Sequence, residues 1–117
     1  MDKNEQDKNF KRGDVVLVDL GEQKENNIQS GVRPCVVVSN NVGNQYSDIL
    51  IVVPLTSKKK KYLPTHTILN LNYKESICLC EQITTIAKKQ VVKTLDKLYY
   101  DEMEDLENAL KCALRIY

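Results

Sequence analysis

The chain has 117 residues, of which 42% are hydrophobic and 28% are charged, and its formal net charge is +1 at neutral pH. This length suits one domain with a single hydrophobic core, and the near-zero charge argues against polyanion binding by the whole surface. Since the chain has one histidine and no C-x-x-C pair among its four cysteines, we expect neither a metal site nor a cofactor.

The N-terminal segment is polar and highly charged. Residues 1–9 lack apolar periodicity, so we predict a flexible tail there and a single domain over residues 10–117. The start of the chain, "MDKNEQDKNFKRGD", is too charged for a signal peptide, and no apolar run approaches the ~18 residues of a transmembrane helix. We therefore expect a soluble, cytoplasmic protein with no membrane partner.

The central part of the chain contains short segments rich in β-branched residues, which predict strands. They are "GDVVLVDL" (13–20), "RPCVVVSN" (33–40), "DILIVVPLT" (48–56), "THTILNL" (65–71), "SICLCEQI" (76–83) and the less regular "VVKTLDKL" (91–98). A long polar loop is predicted at 21–31, and turns at "NVGNQYS" (41–47) and 72–74. Such a series is typical of a small, strongly bent antiparallel sheet or partial barrel.

The C-terminal segment has a different periodicity. From Asp101 onward, apolar residues recur at helical spacing, at Met103, Leu106, Leu110, Ala113, Leu114 and Tyr117. Acidic residues at its start and basic residues near its end complement the dipole of a helix. We predict an amphipathic helix that closes the barrel or joins a partner.

Two polar residues lie at the ends of neighbouring predicted strands. Arg33 begins the second strand and Thr56 ends the third, so an antiparallel pairing would place both side chains at one rim. A guanidinium and a hydroxyl can together hold a phosphate. Both residues are also commonplace at strand ends, so a surface role and a phosphate-binding role remain open. His66, a lone histidine at a strand start, fits a structural or solvated role better than catalysis.

The densest positive charge in the chain follows Thr56 directly, at Lys58–Lys61. Such a run is more commonly a solvated loop that blunts a sheet edge, but its place beside a candidate phosphate site also suits RNA contacts. Tyr62 adjoins the run and is able to stack a base. Cys78 and Cys80 lie at strand spacing and are predicted to be small buried hydrophobes.

The fragments "KRGDVVLVDL", "QSGVRPCVVVSNNVGNQYS", "VPLTSK", "LPTH", "CLCEQITTI" and "DLENAL" together resemble the MazF/PemK family of toxin ribonucleases, in order from about Lys11 to Leu114. The resemblance implies a mainly β fold with a C-terminal helix, an SH3-like small barrel of the CcdB/MazF type, assembled as a homodimer. It also implies metal-independent cleavage of single-stranded RNA, especially mRNA, that leaves 2′,3′-cyclic phosphate and 5′-OH ends. The implied partner is a cognate MazE-like antitoxin.

The resemblance assigns roles to individual residues. Arg33, in "GVRP", matches the catalytic arginine and Thr56 the catalytic threonine. The residues assigned to RNA binding are Gln29, Gly31, Ser57, Lys58, Lys59, Leu63 and Gln82.

One position departs from the family pattern. Ile28 stands where many relatives have a loop glutamate, and Glu25 is the nearest alternative carboxylate. The general base is not assigned by the sequence. A CcdB-like gyrase poison and a non-catalytic SH3-like RNA-binding module are the alternative functions.

Overall fold

The structure is a computed structural model that describes residues 9–57, 63–71 and 74–117. The strands of this part are β1 (Asp14–Asp19), β2 (Val32–Val37), β3 (Ile49–Thr56), β4 (His66–Leu71), β5 (Lys74–Leu79), β6 (Thr84–Ala87) and β7 (Val91–Lys97). The helices are α1 (Asn41–Tyr46) and α2 (Tyr100–Leu114), with 3₁₀ turns at Cys80–Gln82 and Lys88–Gln90. No helix within the described ranges is long and apolar enough to cross a membrane.

Strand β3 lies at the centre of the sheet and pairs on both of its edges. The strand order is β4-β5-β3-β2-β1-β7, and β6 also pairs with β3. One edge of β3 carries β2, whereas the other carries β6 along Ile49–Val52 and β5 at Leu55 and Thr56. Because two strands share one edge, the sheet curls into a half-barrel. The predicted mainly β, partial-barrel fold is confirmed.

The core has two parts, one on each face of the curled sheet. Successive residues of a strand face opposite sides, and on β1 Val15 packs in one cluster while Val16 packs in the other. The first cluster includes Leu106 of α2, and the second includes Phe10 and Leu50. Since both faces are covered, the central strands have continuous apolar sequences instead of an alternating pattern.

Helix α2 packs its apolar face on the first core cluster, with Leu106 and Ala109 buried. The backbone N–H of Tyr99 donates to the Glu102 side chain at 2.9 Å, which satisfies one of the groups left unpaired at a helix start. Arg12 ties the helix to the sheet, since its Nε donates to the Val38 carbonyl at 2.9 Å and its guanidinium lies 3.0 Å from Glu107. The predicted amphipathic helix is confirmed, but it begins one residue before Asp101 and ends at Leu114, so Tyr117 lies beyond it.

The turn predicted at "NVGNQYS" is wrong, because residues 41–46 form the short helix α1. The side-chain oxygen of Asn40 accepts from the Gly43 N–H at 2.8 Å and caps this helix. Strand β2 therefore ends at Val37 instead of residue 40. A six-residue helix is too short for its apolar periodicity to be recognised.

The region after β4 also differs from the prediction. The strand predicted over 76–83 starts earlier, at Lys74, and ends at Leu79, since Cys80–Gln82 form a 3₁₀ turn. Strand β6 was not predicted, because its threonines and single buried Ile86 give little alternation. The predicted tail, apart from Asn9, and most of the predicted 72–74 turn lie outside the described residues.

Leu106→Ala tests the packing of α2. Leu106 is fully buried, so its truncation should reduce the free energy of unfolding by about 3 kcal/mol, the usual cost of a buried leucine. Chemical denaturation measures this loss. The matched control is Leu114→Ala at a half-exposed position of the same helix, which should cost far less. Equal losses in the two variants would contradict this packing.

Candidate functional site

Arg33 and Thr56 meet at one rim of the half-barrel. Strands β2 and β3 are antiparallel with Cys35 opposite Pro54 and Val36 opposite Val53. If this register is continued by two residues beyond the Cys35–Pro54 pair, Arg33 lies opposite Thr56. Both residues line one cleft, which we call the rim cleft and which has a volume of about 230 Å³. The structure thus brings together the two residues predicted to be catalytic.

The two rim residues are held by the scaffold. Thr56 is the last residue of β3 and is only 3% exposed, so the sheet fixes its position. The half-buried Arg33 donates from Nε to the Ser30 carbonyl at 3.0 Å. This bond orients the guanidinium plane, whose terminal N–H groups form the fork that binds two oxygens of a phosphate or carboxylate.

The loop 21–31 is closed at its base by two glycines. The Gly31 N–H donates to the Gly21 carbonyl, and the Leu20 N–H donates to the Gly31 carbonyl, both at 2.8 Å. Gly21 has φ of 74° and Gly31 has φ of 71°, in the left-handed region that favours glycine. The Ser30–Gly31 peptide unit is therefore bonded on both sides, to Gly21 through its N–H and to Arg33 through its carbonyl.

Gln82 connects the outer part of this loop to the sheet. Its Oε1 accepts from the Gln29 backbone N–H at 2.9 Å, and its Nε2 donates to the Asn27 carbonyl at 2.8 Å. The side-chain amide of Gln82, predicted to contact RNA, thus bonds to the loop backbone in this structure. Gln82 also lines a second cleft of about 130 Å³, which shares Gln23, Ile28 and Gln29 with the rim cleft.

The structure places some of the other residues predicted to bind RNA at or next to the rim cleft. Gln29 lines both clefts, and Gly31 is at the base of the loop. Ser57 follows Thr56, and Leu63 is exposed where the described chain resumes. Lys58 and Lys59, together with the rest of the lysine run and Tyr62, lie outside the described residues.

The rim cleft also contains loop residues that the sequence did not single out. They are Gln23, Asn26 and Ser30, which line the cleft with Glu25 and Ile28. The glycines at both ends of the loop were the available signal, because they bring its two ends together. Glu25, the alternative to the loop glutamate of relatives, therefore shares the cleft of Arg33 and Thr56.

His66 lies in a separate contact that supports the turn carrying Gln82. It is 4% exposed, and its Nε2 lies 2.9 Å from Oε2 of Glu81. The Thr65 hydroxyl donates to Oε1 of Glu81, also at 2.9 Å. Partial burial of Glu81 would raise its carboxyl pKa, but the hydrogen bonds from His66, from its own backbone N–H and from Thr65 outweigh this and lower the pKa. His66 is thus in a structural position.

The buried cysteines are poorly suited to nucleophilic chemistry. Burial raises the pKa of the Cys35 thiol to about 12, and burial together with the Glu81 charge raises that of Cys80 to about 12. The thiol is therefore the dominant form near neutral pH, whereas the thiolate is the nucleophile. The prediction that Cys78 and Cys80 are buried is confirmed.

The structure is thus a small, curled β half-barrel with a C-terminal helix, and a polar cleft at its rim contains an arginine and a threonine. The family described as PemK-like, MazF-like toxin of type II toxin-antitoxin system matches residues 11–114. The chain belongs to this family.

Solved structures share the fold. An endoribonuclease in complex with its cognate antitoxin, from a Mycobacterial species, is 25% identical with a TM-score of 0.78, covering 92% of this chain and 97% of that one. MazF from Deinococcus radiodurans is 21% identical with the same TM-score and the same coverage. The Mycobacterium tuberculosis toxin MazF-mt6 is 17% identical with a TM-score of 0.73, covering 89% of this chain and 98% of that one. The last two likenesses concern the fold alone.

Glu81→Gln tests the contact beside Gln82. Folding lowers the pKa of the Glu81 carboxyl below its ordinary value of 4.5, so the ionised carboxylate stabilises the folded protein at pH values above 4.5. This stabilisation is lost as the pH falls through the lowered pKa. The variant should therefore be less stable than the wild type at pH 7, with a difference that shrinks in acid. Thermal unfolding across this pH range measures the difference, with the exposed Glu104→Gln as the control for charge. A difference independent of pH would contradict the assignment.

Proposed function

We propose that the chain is the toxin component of its type II system and acts as an endoribonuclease on single-stranded RNA, particularly mRNA, so that it inhibits translation and growth. The observation that carries the proposal is the placement of Arg33 and Thr56 in one cleft walled by the 21–31 loop. The Mycobacterial relative described as an endoribonuclease adds support. The rim cleft favours cleavage over a gyrase poison or a non-catalytic RNA-binding module, because it joins a phosphate-binding fork to a hydroxyl donor.

The proposed reaction is attack by a ribose 2′-oxygen on the adjacent phosphorus. The bond from phosphorus to the 5′-oxygen of the next nucleotide breaks, which leaves a 2′,3′-cyclic phosphate and a 5′-OH. The guanidinium of Arg33 stabilises the negative charge that grows on the phosphoryl oxygens, and Thr56 donates a further hydrogen bond. The reaction requires no metal ion, and DNA is not cleaved because it lacks the 2′-OH.

The RNA chain follows the rim. We assign its contacts to Gln29, Gly31, Ser57, Leu63, Gln82 and the lysines Lys58 and Lys59. The lysines neutralise phosphates, a contribution that weakens with salt. The carboxylates of "DEMEDLE" lie on α2, so the acidic and basic charges occupy different parts of a nearly neutral chain.

The proposed partners are a second copy of the chain and a cognate antitoxin, in the cytoplasm. A two-fold pair of rims would provide a longer groove than one small half-barrel offers. The C-terminal part of the chain keeps apolar residues at the surface, with Leu114 and Ile116 more than half exposed. Solved MazE–MazF complexes from Deinococcus radiodurans support an antitoxin partner through their shared fold.

Static light scattering tests the homodimer. The purified chain should give about twice the monomer mass of 13.4 kDa. A strictly monomeric protein that still cleaves RNA at the full rate would contradict the proposal.

Arg33→Ala and Thr56→Ala test the cleavage site. Each should lower the rate of RNA cleavage by about 10²–10³, the usual effect of removing a transition-state donor. The assay uses a defined RNA with EDTA present, and circular dichroism checks the fold. The matched control is Thr94→Ala on the exposed strand β7, which should cleave normally. Normal cleavage by Arg33→Ala or Thr56→Ala would remove that residue from the mechanism.

A further inference from the structure

The proposed cleavage requires a group that accepts the proton of the attacking 2′-OH. The two polar rim residues are poor candidates, because a guanidinium stays protonated in proteins and a threonine hydroxyl is a weak base. The histidine is buried and its Nε2 is engaged by Glu81, so it is not available at the rim. Within the part of the chain that the structure describes, the other residues that line the rim cleft are the remaining candidates for the base.

Among the described residues that line the rim cleft, one carries a carboxylate, and it is Glu25. We propose that Glu25 is the general base of the cleavage reaction, an inference that rests on the function proposed above. A carboxylate is a common general base, and Glu25 lines the same cleft as Arg33 and Thr56, where the reacting phosphate group would bind. Arg33 also compensates the negative charge that Glu25 adds beside an anionic substrate.

The position of Glu25 is set by the loop and its contacts with the sheet. Glu25 begins a four-residue turn that closes through a hydrogen bond from the Ile28 N–H to the Glu25 carbonyl at 3.2 Å. Gln82 then bonds to this turn at the Asn27 carbonyl and just beyond it at the Gln29 N–H. Gln82 is thus a positioning residue, since its two hydrogen bonds hold the turn that presents Glu25.

The proton and electron balance is simple. The 2′-oxygen forms its bond to phosphorus as its proton passes to the Glu25 carboxylate. The bond from phosphorus to the 5′-oxygen breaks, and this oxygen takes a proton from solvent water. Glu25 then returns its proton to the solvent. No oxidant, reductant or metal takes part.

Glu25→Gln tests the general base, and Glu22→Gln is the matched control. Glu22 is an exposed carboxylate of the same loop that lies outside the lining of the rim cleft. Under single-turnover conditions at saturating RNA, Glu25→Gln should lose about 100-fold or more in rate, the usual contribution of a general base. Glu22→Gln should cleave at close to the wild-type rate. Added formate should restore cleavage to Glu25→Ala in proportion to its concentration, whereas chloride at equal ionic strength should not.

These results separate a chemical role from a structural one. Formate can restore cleavage only if the variant lacks a proton acceptor. If the substitution instead distorts the loop, formate should not restore cleavage. If the wild type cleaves RNA but Glu25→Gln matches Glu22→Gln, the base assignment is overturned while the proposed function stands. If the wild type itself leaves every RNA intact, both fall.

Gln82→Leu tests the positioning role. If Gln82 holds the loop, the single-turnover rate should fall to the same degree on all RNA substrates, with the preferred cleavage site unchanged. A role confined to base contact predicts the opposite, a changed site preference with a retained rate on the best substrate. That second pattern would overturn the positioning role.

Discussion

The double pairing of β3 is the constraint on which the rest of the structure depends. Its first half pairs with β6 and its second half with β5 on the same edge, while β2 occupies the other edge. On the shared edge, Pro54 lies between the residues of β3 that pair with β6 and those that pair with β5. Because proline has no backbone N–H to donate, this position interrupts neither set of strand hydrogen bonds. The resulting curl gives the sheet a rim, and at this rim β3 ends at Thr56 where β2 begins with Val32 and Arg33.

The chemistry that we propose follows from how this rim is supported. Rigid strands fix Arg33 and Thr56, and one peptide unit of the 21–31 loop joins Arg33 to Gly21. Gln82 holds the outer part of the same loop, and the contact of the buried His66 with Glu81 supports the turn that carries Gln82. A site held from several directions keeps its groups in place before the substrate arrives, which is the condition for efficient transition-state stabilisation.

The sequence predicted the strands with continuous apolar runs, because burial on both faces leaves a strong signal. It also predicted that Arg33 and Thr56 lie at the same rim, because the start of one strand lies beside the end of its antiparallel neighbour. It did not predict β6, whose pairing with β3 depends on tertiary contacts more than on its own composition. The short helix α1 depends on the cap by Asn40, and the clamp by Gln82 joins residues more than fifty positions apart. Neither leaves a local periodicity, so only the structure reveals them.

The activity that we propose for the rim cleft is cleavage of RNA by attack of a 2′-oxygen. The most direct measurement incubates the purified chain with a defined RNA in EDTA and identifies both new ends by mass spectrometry. A second RNA carries 2′-deoxyribose at the cleaved nucleotide only. We expect discrete cuts with 2′,3′-cyclic phosphate and 5′-OH ends in the first RNA and none at that position in the second. Cleavage of the deoxy-substituted position, or RNA that is bound and left intact in both cases, would contradict this proposal.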